Sequence, residues 1–132
     1  CILAAKPNVY GALYRFEGQL SVFGFEGGPC YRCLFPQAPA ADTVMNCAEA
    51  GVLGVIAGVV GCLQACEALK IILQLPEVLS GKLLVYDALS LDFDKLALKK
   101  NPDCKLCGKN AEIKELRVEQ VYVCQSEPTE ER

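Results

Sequence analysis

The sequence contains no histidine and no tryptophan, and its only methionine is Met45. Without histidine, any imidazole base or histidine metal ligand would have to come from another chain. Positive charge is not in excess either, because 13 Lys and Arg stand against 16 Asp and Glu, for a net charge of −3. The chain therefore lacks the excess of positive charge that is typical of proteins binding nucleic acid or an anionic membrane surface. We therefore expect neither nucleic acid nor a membrane as a partner.

The chain is short and opens on Cys1 instead of methionine. Its 132 residues suffice for one small domain, and we expect them to be a fragment of a longer protein. The first fifteen residues carry Lys6 and Arg15 without an apolar core between them, which is not the pattern of a secretion signal. The longest uncharged apolar stretch, residues 50–63, has 14 residues, fewer than the ~20 that span a bilayer.

Nine cysteines are the chemically distinctive residues of this chain. Four of them form two C-x-x-C pairs, Cys30/Cys33 and Cys104/Cys107, with 70 residues between the pairs. Zinc prefers four soft ligands in a tetrahedron, and each pair offers two on one tight turn. The spacing predicts a structural zinc site that clips two distant parts of one domain together. Two alternatives are a thioredoxin-like redox pair and unrelated buried thiols. A reducing, cytoplasmic location is expected.

Cys47 stands apart from both pairs, just before a predicted helix. A thiol near a helix N-terminus is made more acidic by the peptide dipoles and becomes a better nucleophile without histidine. The alternative is a small buried side chain. Cys62 and Cys66, four residues apart on the predicted helix, are interpreted as core thiols, and Cys1 and Cys124 have no assigned role.

Residue patterns predict a mixed α/β chain. Strands are expected over 8–16 and 19–25 as a hairpin with a turn at Glu17-Gly18, and over 82–87 and 92–99 as a second pair. A helix is expected over 52–74, with an irregular crossover loop over 34–44 before it. The first half of that helix is apolar on every side, so an upstream sheet, a partner subunit or both must cover it. Beyond Lys109 the composition becomes acidic, with at most a short helix over 113–118.

Four segments together resemble one family, the ThiF/MoeB-like adenylyltransferases that activate ubiquitin-like proteins. They are GGPCYRCLFP at 27–36, NCAEAGVLGVIAGVVGCLQACEALKIIL at 46–73, LLVYDALS at 83–90 and PDCKLCG at 102–108. The likeness extends to the eukaryotic molybdenum-cofactor and tRNA-thiolation members, which carry a rhodanese domain.

The resemblance implies an α/β fold, as the C-terminal half of a doubly wound, Rossmann-like activating-enzyme domain with a four-cysteine zinc clip. Residues 1–109 would form that half, and 110–132 an acidic tail or linker. By motif position, Cys30, Cys33, Cys104 and Cys107 would bind structural Zn2+. Cys47 would be the catalytic thiol that accepts the carrier's C-terminal glycine as a thioester or acyl-disulfide. The family's ATP and Mg2+ residues lie upstream of this sequence, so the fragment alone is not expected to adenylate.

The expected partner is a ubiquitin-like sulfur-carrier protein, whose thiocarboxylate would serve tRNA thiolation or molybdopterin synthesis, and the enzyme is expected to be a homodimer. Leu34, Phe35 and the loop 37–45 are candidates for guiding the carrier's tail. Two other hypotheses stay open. One is a zinc-stabilised module that binds a ubiquitin-like protein without chemistry. The other is a dithiol redox protein that uses Cys30 and Cys33.

Overall fold

The computed structural model describes residues 1–39 and 50–116. After a 3-10 turn at Ile2–Ala4, the described elements are β1 (Asn8–Tyr14), β2 (Glu17–Phe23), α1 (Tyr31–Leu34), α2 (Val55–Ile72), β3 (Lys82–Asp87) and β4 (Asp92–Ala97). The strands of this described part form one antiparallel sheet in the order β1-β2-β3-β4. The predicted mixed α/β architecture is confirmed.

The β1–β2 hairpin was predicted, but its turn lies two residues earlier than the Glu17-Gly18 step. Tyr14 pairs with Glu17, so the turn consists of Arg15 and Phe16, and Arg15 adopts a left-handed backbone with φ 51°. Neighbours on both sides hold this turn, because Leu53 N–H donates to the Arg15 carbonyl at 3.0 Å and Ala88 N–H donates to the Phe16 carbonyl at 2.9 Å. These hydrogen bonds come from segments distant in sequence, so no local sequence pattern predicts them.

Helix α2 packs on one face of the sheet. Near its start, Ile56 and Val60 form a buried cluster with Tyr86 of β3. Towards its end, Leu63 and Ile71 pack against a second cluster of the residues Leu20, Val22, Leu79 and Leu84. The sheet comes close to the helix at Gly18, where an added Cβ would lie 2.6 Å from Cγ2 of Val60. One stripe of the helix therefore meets the sheet, and the fold rather than the apolar pattern decides which stripe it is.

The end of α2 is fastened by a buried carboxylate. Glu67 is 7% exposed, accepts a hydrogen bond from Leu79 N–H at 2.8 Å and forms an ion pair with Lys70. Lys70 Nζ in turn donates to the Glu77 carbonyl at 2.8 Å. A buried charge is tolerated only when it is paired and hydrogen-bonded, and here this pairing fixes the connection from α2 to β3.

The opposite side of α2 is exposed. Val55, Leu69 and Ile72 are 71%, 55% and 72% exposed, which agrees with the expectation that this chain alone does not cover the helix. By length and composition alone, α2 is also apolar enough to cross a membrane. That is weak support for a membrane segment, because core helices of soluble proteins meet the same criterion.

Several finer expectations can be compared with the structure. Strand β3 has its predicted bounds, and β4 pairs with it as expected. Residues 113–116 form no helix. The prediction that Cys62 and Cys66 are core thiols is wrong, because both are exposed, on the helix side that turns away from the sheet. The crossover loop over 40–44, Cys47 and Cys124 lie outside the described residues.

Candidate metal centre

The two C-x-x-C pairs meet in space although 70 residues separate them in sequence. The Sγ atoms of Cys30, Cys33, Cys104 and Cys107 all lie within 4.8 Å of one another. Cys30 Sγ is 3.8 Å from Cys33 Sγ and 3.6 Å from Cys104 Sγ, and Cys33 Sγ is 3.4 Å from Cys107 Sγ. This is the juxtaposition that the spacing predicted.

The first pair sits at the start of α1. Cys30 precedes the helix in an extended conformation, and Cys33 N–H donates to the Cys30 carbonyl at 2.9 Å. That turn brings both thiols to the same side. The approach to it is fixed by Gly24 N–H, which donates to the Pro29 carbonyl at 2.9 Å. The short helix therefore presents two thiols from one tight knuckle.

The second pair lies on a turn that requires glycine at its end. Cys104 N–H donates to the Asn101 carbonyl at 3.2 Å, and Gly108 N–H donates to the Cys104 carbonyl at 2.8 Å. A Cβ on Gly108 would stand 2.5 Å from the Pro102 carbonyl oxygen, so a side chain there would clash with the backbone. The predicted turn at Asn101-Pro102-Asp103 is confirmed, and Asp103 N–H donates to the Asn101 side chain at 2.9 Å.

Electrostatics within the cluster are uneven. Burial, together with hydrogen bonding to neighbouring thiols, raises the pKa of Cys30, and burial is also the main cause of the raised pKa of Cys107. Burial acts in the same direction on Cys104, but the N–H groups of Cys107 and Leu106 and the adjacent thiols outweigh it and lower the pKa of Cys104 to about 7. Backbone N–H groups therefore favour the thiolate form at Cys104.

The geometry fits a tetrahedral thiolate site. Four sulfurs at the usual Zn–S distance of ~2.3 Å would lie about 3.8 Å from one another, close to the separations of 3.4, 3.6 and 3.8 Å found here. Cys30 and Cys104 are buried, whereas Cys33 and Cys107 are partly exposed. The group could hold a metal ion, and four soft sulfur donors are the set that zinc favours.

An aromatic cluster beside the thiols was missed by the sequence analysis. Tyr31, between the two cysteines of the first pair, lies 5.4 Å from Tyr10 and 5.7 Å from Phe23, measured between ring centroids. It also lies 5.0 Å from Phe35. The C-Y-R-C motif contains the only local signal, an aromatic residue inside the knuckle. Its partners on β1 and β2 can be identified only from the fold.

An open cavity of about 450 Å³ lies where the hairpin turn meets the residues before α2. It is lined by Arg15, Phe16, Ala50, Gly51, Val52 and Leu53. Ala50 follows the predicted nucleophile Cys47 by three residues, so their Cα atoms are at most ~11 Å apart along the chain. The guanidinium of Arg15 lies over the Tyr14 ring, 5.3 Å from its centroid.

Comparison with known families identifies the chain. The model of the ThiF family matches residues 1–106, a range that contains both strand pairs, α2 and three of the four clustered thiols. The chain belongs to the ThiF family. This confirms the family resemblance read from the four sequence segments.

Several relatives are about 50% identical to this chain over the aligned residues. The pig protein named adenylyltransferase and sulfurtransferase MOCS3 is 52% identical over 118 residues, which are 89% of this chain and 26% of that protein. A sulfur carrier protein adenylyltransferase from Thermus thermophilus is 50% identical over 87% of this chain and 44% of its own length. A SAMP-activating enzyme E1 from Haloferax volcanii is 51% identical over 82% and 40%. The chain thus spans less than half the length of these relatives.

Solved structures support the fold of this ThiF chain. The crystal structure of Escherichia coli MccB superposes with a TM-score of 0.66, covering 92% of this chain and 36% of MccB. At 16% sequence identity, this likeness concerns the fold alone.

Proposed function

We propose that this chain is the C-terminal half of an ATP-dependent adenylyltransferase that activates a ubiquitin-like sulfur carrier. Residues 1–109 form that half-domain and 110–132 an acidic tail or linker. The observation that carries the proposal is the ~50% identity to relatives named as adenylyltransferases, one of them for a sulfur carrier protein. Each of these relatives is more than twice as long as the matched part, which supports an ATP- and Mg2+-binding half outside this chain.

The four-cysteine cluster serves this enzyme as a structural zinc site. Cys30 and Cys33 hold the metal from the knuckle after β2, and Cys104 and Cys107 hold it from the turn after β4. Zinc supplies a crosslink between these two segments. Because four thiolates fill its tetrahedral shell, no position is left for substrate, so the metal takes no part in the chemistry.

Cys47 carries the chemical step in this proposal. Once the carrier's C-terminal glycine is joined to AMP as a mixed anhydride, the Cys47 thiolate attacks the acyl carbon. A C–S bond forms, the C–O bond to AMP breaks, and AMP leaves with the bonding electron pair. AMP is a good leaving group and the thiolate has already lost its proton to solvent, so the absence of histidine is no obstacle. The cavity lined by residues 50–53, which follow Cys47 closely in sequence, is a candidate space for the carrier's tail.

Partners and pathway follow from the same assignment. Attack on the Cys47 thioester by the persulfide of a sulfur donor outside this chain would release the Cys47 thiolate and form an acyl-disulfide. A thiol reductant would then cleave that acyl-disulfide to the carrier thiocarboxylate, whose sulfur would be used in tRNA thiolation or molybdopterin synthesis in the cytoplasm. The apolar outer side of α2, with Val55 and Ile72 both more than 70% exposed, supports a homodimer or cover by the upstream half. Phe35, which is 38% exposed, is a candidate contact for the carrier's tail.

The test separates enzyme from binding module. The full-length protein that contains this chain is incubated with a sulfur carrier and ATP, and the carrier adduct is measured on a non-reducing gel. Cys47→Ala should abolish the adduct while carrier-dependent exchange of pyrophosphate into ATP continues. Cys62→Ala, which removes an exposed thiol of α2, is the matched control and should leave the adduct unchanged.

Other results of these measurements would favour the binding-module or the redox hypothesis. Carrier binding without pyrophosphate exchange or adduct in the wild-type protein would select the non-catalytic module. A reversible disulfide between Cys30 and Cys33 in a metal-free protein would select the redox hypothesis. An adduct that persists in Cys47→Ala would show that another residue accepts the acyl group.

A further inference from the structure

The knuckle that carries the first thiol pair has little structure of its own. Helix α1 has four residues, and a single helical turn is not stable by itself in water. One backbone hydrogen bond joins the residue just before Cys30 to the end of β2, from the N–H of Gly24, which directly follows that strand, to the Pro29 carbonyl. Yet Cys30 is 0% exposed and faces Cys104. Side-chain packing must therefore help to hold the knuckle on the sheet.

Tyr31 supplies that packing. Its ring contacts a residue of β1, a residue of β2 and the residue after α1, with ring centroids 5.4 Å from Tyr10, 5.7 Å from Phe23 and 5.0 Å from Phe35. The Phe23 contact is edge-to-face, at 88° between the ring planes, a favourable arrangement for two aromatic rings. Phe23 is itself 1% exposed. Of the four rings, Tyr31 is the one that touches all the others.

We propose that Tyr31 is a positioning residue of the metal site, and that its ring keeps the Cys30 and Cys33 thiolates turned towards Cys104 and Cys107. The proposal rests on the zinc assignment made above. Tyr31 binds no metal itself. It lies between two ligands in sequence and fixes the backbone that carries both, in the way that residues outside the ligand set orient ligands in metal proteins.

The Tyr31 ring, and not its hydroxyl group, holds the two cysteines in place. Within residues 1–39 and 50–116, no hydrogen bond from the Tyr31 hydroxyl group accompanies the ring contacts. Tyr31→Phe should therefore preserve the function, whereas Tyr31→Ala should lose it. This difference separates packing from a polar role at the same position.

The experiment measures zinc release from the full-length, zinc-loaded protein. Excess EDTA is added and the bound metal is followed over time, a readout that does not depend on enzymatic activity. Tyr31→Ala should release zinc at least about 10-fold faster than the wild type, and Tyr31→Phe at the wild-type rate. If Tyr31→Ala does not fold, Tyr31→Leu provides the same comparison, with a smaller acceleration because apolar bulk remains.

A core variant controls for general loss of stability. Val22 is 0% exposed and packs with Leu20 and Leu84 on the helix side of the sheet, the face opposite Phe23. Val22→Ala should lower Tm while zinc is released at the wild-type rate. Equal acceleration in Val22→Ala and Tyr31→Ala at matched loss of Tm would overturn the proposal.

Two further outcomes of the zinc-release experiment separate the positioning role of Tyr31 from the metal assignment. Unchanged zinc release in Tyr31→Ala overturns the positioning role and leaves the metal assignment standing. A wild-type protein that binds no zinc overturns the metal assignment and this inference with it. Neither result bears on acyl transfer by Cys47, which the carrier adduct tests separately.

Discussion

The two faces of one sheet are covered in different ways. On one face, the 18-residue helix α2 packs through apolar side chains such as Ile56 and Val60. On the other, Phe23 is 1% exposed and its ring contacts Tyr31 of the four-residue helix α1 and Tyr10 of β1. The small cover succeeds because it is held by aromatic contacts and, as we propose, by a metal. If the proposed zinc is bound, it would supply a crosslink where the segments are too short to bury much area of their own.

The two covers also differ in how complete they are. On the thiol side, the Sγ atoms of all four cysteines lie within 4.8 Å of one another. The helix side leaves Ile72 72% exposed, which is unfavourable for an apolar side chain in water. The four thiols thus lie together within this chain, whereas the outer side of α2 leaves apolar side chains more than half exposed. Four substitutions test this difference, in order of decreasing expected effect.

Removing one thiol should have the largest effect. Cys104→Ser leaves three thiolates and breaks the link between the knuckle and the turn after β4, so we expect stoichiometric zinc to be lost and the free energy of unfolding to fall by more than about 4 kcal/mol. Zinc content by elemental mass spectrometry and Tm by calorimetry measure both. Cys66→Ser, at an exposed thiol, should change neither. Full zinc occupancy in Cys104→Ser would contradict the four-ligand assignment.

On the helix face, the next effect should come from Gly18. In Gly18→Ala the new methyl group would stand 2.6 Å from Val60 Cγ2 and 3.4 Å from Ile56 Cγ2, so the helix must shift away from the sheet. Overpacking of this kind costs about 2 to 3 kcal/mol. Urea denaturation should report that loss with the zinc content unchanged. A simultaneous loss of zinc would mean that the two faces are coupled, contrary to the comparison.

Glu67 should contribute somewhat less. Glu67→Ala removes the acceptor of the Leu79 N–H group and the ion-pair partner of Lys70. Leaving a buried N–H without a partner costs about 1 to 2 kcal/mol, and hydrogen exchange at Leu79 should accelerate. Glu77→Ala is the matched control, because its carboxylate is 86% exposed and 3.9 Å from Lys82, and it should leave stability unchanged. An equal loss of stability in Glu67→Ala and Glu77→Ala would argue against a stabilising role of the buried Glu67 carboxylate.

The smallest expected effect is a gain in stability from Gly58→Ala. An added Cβ at Gly58 of α2 meets nothing within 4 Å, so Gly58→Ala should stabilise the 132-residue chain by up to about 1 kcal/mol, the difference in helix propensity. Thermal unfolding of this chain measures the gain. In the full-length protein the same substitution should lose that gain if a second copy or the upstream half packs there. The difference between the two forms therefore reports whether this side of α2 is covered.

Local patterns predicted much of the fold. A continuous apolar run closed by Asp87 predicted β3 with its observed bounds. Three-to-four spacing of apolar residues predicted α2 to within three residues of its start and two of its end. The hairpin turn was misplaced because a left-handed Arg15 is stabilised by Leu53 and Ala88, which are distant in sequence. Cys62 and Cys66 were misjudged because apolar periodicity cannot tell which side of an apolar helix meets the sheet.

For the candidate site, sequence alone predicted the four candidate ligands, since two C-x-x-C turns and their flanking Pro29 and Gly108 are local features. Four ordered motifs also predicted the family, which the ThiF model match confirms. Only the tertiary structure decided that sulfurs 74 positions apart lie 3.6 and 3.4 Å from each other, that Tyr31 stacks among rings of two strands, and that Glu67 fastens the end of α2. The physical reason is that spacing along a chain fixes geometry within a turn or a helix, whereas contacts between distant segments depend on how the whole sheet packs.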